Sequence, residues 1–83
     1  MDSTYDIKGF MITGSQIRAA RAMLGWSAQV LADKCNLSWN TIQRMESTDG
    51  IPSTNAVNLH AVQAALESAG IEFIGTSGVT HNP

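Results

Sequence analysis

Residues 12–46 read ITGSQIRAARAMLGWSAQVLADKCNLSWNTIQRME, and within them the start of a helix is marked three times. Thr13 and Gln16 have the spacing of a capping box, in which a hydroxyl accepts from the third helical amide and the glutamine side chain reaches back to the cap. Ile12 and Ile17 flank them with the spacing of a hydrophobic staple. The pattern returns at Ser27, with Trp26 and Leu31 as the staple, and at Ser38, with Leu37 and Ile42. Two stops lie between the starts, because Gly25 and Asn36 are residues that tolerate the left-handed conformation closing a helix. The expected helices are 14–24, 28–35 and 39–47, the last two joined by a turn of about three residues.

Periodicity assigns the faces. Ile17, Ala20 and Leu24 point inward from the first helix, with Gln16 and Arg18 on its other faces. Ala28, Leu31, Ala32 and Cys35 share one face of the second. In the third, Ile42 and Met45 turn inward while Asn40, Gln43, Arg44 and Ser47 turn outward. Two short helices joined this tightly, with a small residue in the middle of the first, have the geometry of a helix-turn-helix. Ala32 must be small where the next helix crosses it, and Asn36 must accept a positive φ. The outward side of the third helix is then free to enter a major groove, which is wide enough for one α-helix.

Working outward, Thr48 to Pro52 reads as a loop and Ser53 or Thr54 as the cap of a fourth helix over 54–69, with Leu59, Val62, Leu66 and Ala69 inward and Gly70 as its stop. No Asp, Glu, Lys or Arg occurs between Gly50 and Leu66, so this helix is expected either to be buried within the domain, the favoured reading, or to lie at a subunit contact. Ile71–Ile74, the turn Gly75–Gly78 and Val79–His81 read as a β-hairpin, which in isolation is marginal and needs a partner, either residues 10–12 or a second copy of the chain. Residues 1–12 form an N-terminal extension with Phe10–Ile12 as a candidate short strand, and residues 71–83 are the C-terminal hairpin or tail.

Eighty-three residues allow one domain, and a chain this short buries only about 60% of its unfolded surface. At 43% hydrophobic and 14% charged it is too apolar for a disordered tail and has no run long enough to span a bilayer. Asp2 and Asp6 stand where a secretory signal would be basic, so a cytoplasmic address is expected. A single cysteine excludes an internal disulfide, and His60 and His81 have no metal-ligand spacing, so neither metal nor cofactor is expected. A nucleophile–base pair, a phosphate-cradling loop and clustered carboxylates are all missing, so an enzyme is not expected. The net charge of −2 hides a dipole. Arg18, Arg21, Lys34 and Arg44 against Asp33 make Ser15–Met45 locally +3, while the remainder sums to −5.

The pattern IRAAR…LGWS…LA…LS…TIQRME over Ile17–Glu46 resembles the XRE/Cro-type, phage-repressor-like helix-turn-helix family of bacterial transcriptional regulators, and IPSTNAVNLHAVQAALESAGIEFI resembles the fourth helix and strand of small members. The resemblance implies a mainly α fold of four to five helices with a short C-terminal β-hairpin. It also implies a homodimer that binds double-stranded DNA at a palindromic operator, most simply as a repressor, in the cytoplasm at the nucleoid. By resemblance, Trp39, Asn40, Gln43 and Arg44 are the base-reading positions, and Ser27, Ser38 and Thr41 hold phosphates. Arg21 and Glu46 match the family's structural ion pair. Arg18 and Lys34, in the basic segment, are either phosphate contacts or plain surface charges.

Departures from the family matter as well. Ala28 stands where a DNA-touching glutamine is common, Asn36 replaces the turn glycine, and the loop after Glu46 carries Asp49 and no cation. Phosphate grip should therefore be weak, with a log K against log salt slope of about −4 to −5 for a dimer. Trp39 either contacts a base or thymine methyl or shelters the side of the core. Trp26 is expected in the core, Cys35 as a buried inert thiol, the histidines at the surface and the methionines as core gap fillers. The competing reading is a protein-interaction module on the same fold, antitoxin-like or an adaptor, in which the Trp39 face and the uncharged fourth helix bind a protein partner.

Overall fold

The computed structural model describes residues 11–82. The chain runs α1 (Gly14–Leu24), α2 (Ala28–Cys35), α3 (Trp39–Glu46), α4 (Ala56–Ser68), β1 (Ile71–Ile74) and β2 (Gly78–His81). The first three helices begin where the caps place them: Thr13 forms a full capping box with Gln16, Ser27 accepts from the Val30 amide, and Ser38 accepts from the Thr41 amide. Gly25 at φ 70° and Asn36 at φ 60° close α1 and α2 in the left-handed conformation. The third helix ends at Glu46, one residue before the expected boundary, with Ser47 as its cap.

The α4 boundary differs more. Asn55, not Ser53 or Thr54, is the N-cap, its side chain accepting from the Asn58 amide at 2.8 Å, because the turn that follows Pro52 takes up the two hydroxyl residues. The expectation that α4 is buried holds for one side only. Leu59, Val62 and Leu66 are buried, while Val57 is 77% exposed and His60 and Ala64 are also exposed.

The core is Ile12, Ile17, Ala20, Ala28, Leu31, Ala32, Ile42, Met45, Leu59, Val62, Leu66 and Ile71, with Leu24, Trp26, Cys35, Leu37, Phe73 and Val79 packed at its margin. Each staple therefore contributes at least one residue to the same centre. Of the methionines described, Met45 alone is buried; Met11 and Met23 are exposed, so gap filling is not their common role.

β1 and β2 pair antiparallel, Ile71 opposite His81 and Ile74 opposite Gly78, in a sheet of two strands. Met11 and Ile12 form no strand, and Phe10 lies outside the described residues, so of the two expected partners of β1, residues 10–12 and a second copy, pairing with the first is not seen among the described residues. The hairpin instead rests against α1 and α4. Its turn is fastened by Gln16, whose amide nitrogen donates to the Gly75 and Gly78 carbonyls at 2.9 and 3.1 Å, and by Thr13, whose hydroxyl donates to the Thr76 carbonyl at 3.1 Å. Gln16 is accordingly fully buried, not on an outer face as its position on the helical wheel suggests; its amide is satisfied at both ends, which makes burial affordable.

Candidate functional site

The α2–α3 unit positions the site. Leu37 donates its amide to the Ala32 carbonyl across the Asn36 turn, and Ile42 and Met45 anchor α3 by its inner face. Glu46, at the end of α3, is 6% exposed, and its carboxylate receives two parallel hydrogen bonds from Arg21 of α1, Nε to Oε2 and a terminal nitrogen to Oε1, both 2.8 Å. A third nitrogen of Arg21 donates to the Trp26 carbonyl at 3.1 Å. Hydrogen bonding to Glu46 raises the Arg21 pKa above its ordinary value, with burial opposing and the charge of Glu46 assisting. This is the ion pair expected between the first and third helices, and it fixes where α3 points.

With its inner face held, α3 turns Trp39, Asn40 and Arg44 to solvent, with Gln43 half-buried beside them. None of these four side chains hydrogen-bonds within the chain among the described residues. Trp39 is 48% exposed, so about half of its surface faces solvent beside Asn40 and half is covered by the chain. On the helix surface Asn40 neighbours Arg44, and Trp39 neighbours Gln43, each pair one turn apart.

Ser27 and Ser38 cap α2 and α3, and the Ser38 hydroxyl also lies 2.9 Å from that of Thr41. These hydroxyls stand at the helix starts, where amides are free to meet an anion. Lys34 lies over the ring of Trp26, 4.9 Å from its centroid, and remains exposed. Arg18 is placed differently from a free surface cation. It donates to the Glu46 carbonyl and, at 2.7 Å, to Asp49 Oδ1, both at the end of α3 or just beyond it.

No protein-family profile matches the chain, and no curated protein matches it at a significant level.

The α1–loop contacts were not legible in the sequence. Gly14 donates its amide to the Gly50 carbonyl at 2.8 Å, and Ser15 donates to the Asp49 carbonyl at 3.2 Å. Partners more than thirty residues apart leave no local signal. Among the described residues no three acidic, His or Cys side chains gather at metal-binding distance, and no helix is long and apolar enough to cross a membrane. A shallow depression along α4, lined by His60, Gln63, Ala64 and Glu67, holds about 110 Å³.

Proposed function

We propose that the chain is a sequence-specific double-stranded DNA-binding regulator of the XRE/Cro helix-turn-helix type, a repressor that acts in the cytoplasm, at the nucleoid, as a homodimer. In this reading α2 and α3 are the helix-turn-helix, and α3 enters the major groove. Asn40 and Gln43 carry amides able to bridge adenine N6 and N7, and Arg44 can bridge guanine O6 and N7. Ser27, Ser38, Thr41 and Lys34 stand where phosphates would pass.

The observation that carries the reading is the outer face of α3. Its four polar or aromatic side chains are unengaged among the described residues, while Ile42, Met45 and Glu46 hold the opposite side in place. A helix whose inner face is fixed by an ion pair with a buried carboxylate presents its outer side chains in one orientation, which direct readout of base edges requires.

Selection of bound duplexes from a random pool tests the reading. It should return a roughly palindromic site with half-sites about 34 Å apart, and Arg44→Ala should weaken the selected site by more than it weakens random DNA. Absence of any binding at micromolar protein and low salt would overturn it.

A second reading, a protein-interaction module on the same scaffold, is favoured by a specific observation. Of the four cations in Ser15–Met45, Arg21 is bonded to Glu46, Arg18 is bonded to Asp49, and Lys34 lies against Trp26. Arg44 is left as the cation with no such engagement among the described residues, a small electrostatic footprint for DNA. The outer face of α4, uncharged around the exposed Val57, would then be part of the contact surface.

A further inference from the structure

Trp39 is the residue of the α3 face that its polar neighbours do not explain. Hydrogen bonding to base edges accounts for the chemistry of Asn40, Gln43 and Arg44, but not for an indole ring that leaves about half of its surface, 48%, open to solvent. Exposed at the first position of the helix that would enter the groove, it presents the largest apolar surface on that face. The single apolar group that a B-form duplex offers to the major groove is the methyl at C5 of a pyrimidine, carried by thymine and, after modification, by cytosine. Stacking on a base face would first require that base to leave the helix, whereas the methyl is already exposed at the groove floor.

We infer, resting on the DNA-binding reading above, that Trp39 is a specificity residue whose indole packs against a pyrimidine C5-methyl. The neighbour one turn along α3 suits the same base-pair type. Gln43 lies beside Trp39 on the helix surface, and its amide matches the adenine N6 and N7 that accompany a thymine methyl in the groove. The Trp39–Gln43 ridge thus selects A·T pairs at the front of the half-site, and the Asn40–Arg44 ridge reads the bases behind them.

The test removes the methyl and nothing else. On the selected duplex, each thymine is replaced in turn by uracil, and binding is measured for the wild-type chain, Trp39→Ala and Trp39→Phe, with circular dichroism confirming that each variant is folded. One thymine per half-site should show a loss on the order of threefold to tenfold with the wild type. That loss should vanish with Trp39→Ala and persist in part with Trp39→Phe. Cytosine and 5-methylcytosine, each opposite guanine at that position, isolate the methyl in a second pair type: the methylated duplex should bind the wild type more tightly than the unmethylated one and show no such gain with Trp39→Ala, and equal binding of the two duplexes by the wild type would count against a methyl contact. Uracil effects identical in wild type and Trp39→Ala at every position would overturn the assignment while leaving DNA binding intact. A wild-type chain that binds no duplex would overturn it together with the reading on which it rests.

Discussion

Arg21 and Glu46 meet through two parallel 2.8 Å hydrogen bonds that join the last turn of α1 to the last residue of α3. The Glu46 side chain is 5% exposed and that of Arg21 24%, so water screens the pair only from the arginine side. A bidentate contact with one member desolvated differs from a solvated surface pair, which contributes only about 0–1 kcal/mol.

Removing one partner should therefore cost more than removing both. Arg21→Ala strands a buried carboxylate and should destabilise the fold by about 2–4 kcal/mol, whereas Arg21→Met with Glu46→Leu should recover most of that loss. Urea denaturation of the two single variants and the double variant measures this. A double variant as unstable as the singles combined would mean that the residues contribute independently.

Gly14 is required by proximity, not by backbone angle. A Cβ there would stand 2.0 Å from the Thr48 carbonyl oxygen and 2.5 Å from that of Met45, and backbone atoms cannot swing aside as a flexible side chain can. Gly14→Ala should therefore push α1 off the end of α3 and cost about 2–3 kcal/mol. Gly25→Ala meets nothing within 4 Å but must hold φ 70°, and should cost about 1 kcal/mol. Thermal unfolding of the two variants should rank them in that order.

The contrast between these glycines marks how far the sequence can be read. Gly25, like Asn36, announces itself, because its role is a local backbone conformation at the end of a periodic segment, and three helix starts follow from caps and staples for the same reason. Gly14, Gln16 and Arg18 act on partners at Thr48, Gly75 and Asp49, and nothing within a helical turn of them encodes those distances. The α3 face was legible because it depends only on the helical period; the company kept by Arg18 was not. Ser53, Thr54 and Asn55 are equally good caps by type, so local sequence does not separate them, and the turn after Pro52 makes the choice.

Burial pushes the Cys35 thiol above its ordinary value, since the thiolate would lose hydration. With the folded value raised, its contribution to stability is fully present below the ordinary thiol range, near 8.5, and is lost as pH climbs through the folded value. The expected consequence is alkylation at pH 8 slower than that of a free thiol by roughly threefold or more, with full reactivity restored in denaturant. A stability decline above about pH 8.5 should be shallower in Cys35→Ala. Alkylation of the native chain at the free-thiol rate would show the side chain to be solvated.

The pairing of Arg18 with Asp49 bears on DNA binding in the opposite direction from most surface mutations. Both side chains are well exposed, 41% and 89%, so the pair itself adds little to stability, but it holds Arg18 against the chain's own carboxylate. With Lys34 and Arg44 as the remaining cations near α3, a dimer should show a log K against log salt slope between about −2 and −4, shallower than a count that includes Arg18. Asp49→Asn should remove the carboxylate that neutralises Arg18 while leaving its bond to the Glu46 carbonyl, tighten binding at low salt and steepen the slope by up to about 2, from roughly 0.9 per phosphate in each of two protomers. Lys34→Ala should flatten it by a similar amount. Because neither substitution touches a base-reading position, both should leave the ratio of selected-site to random-DNA affinity nearly unchanged. A change in that ratio would mean that Asp49 or Lys34 bears on readout itself, by moving α3 and not by altering the charge around it.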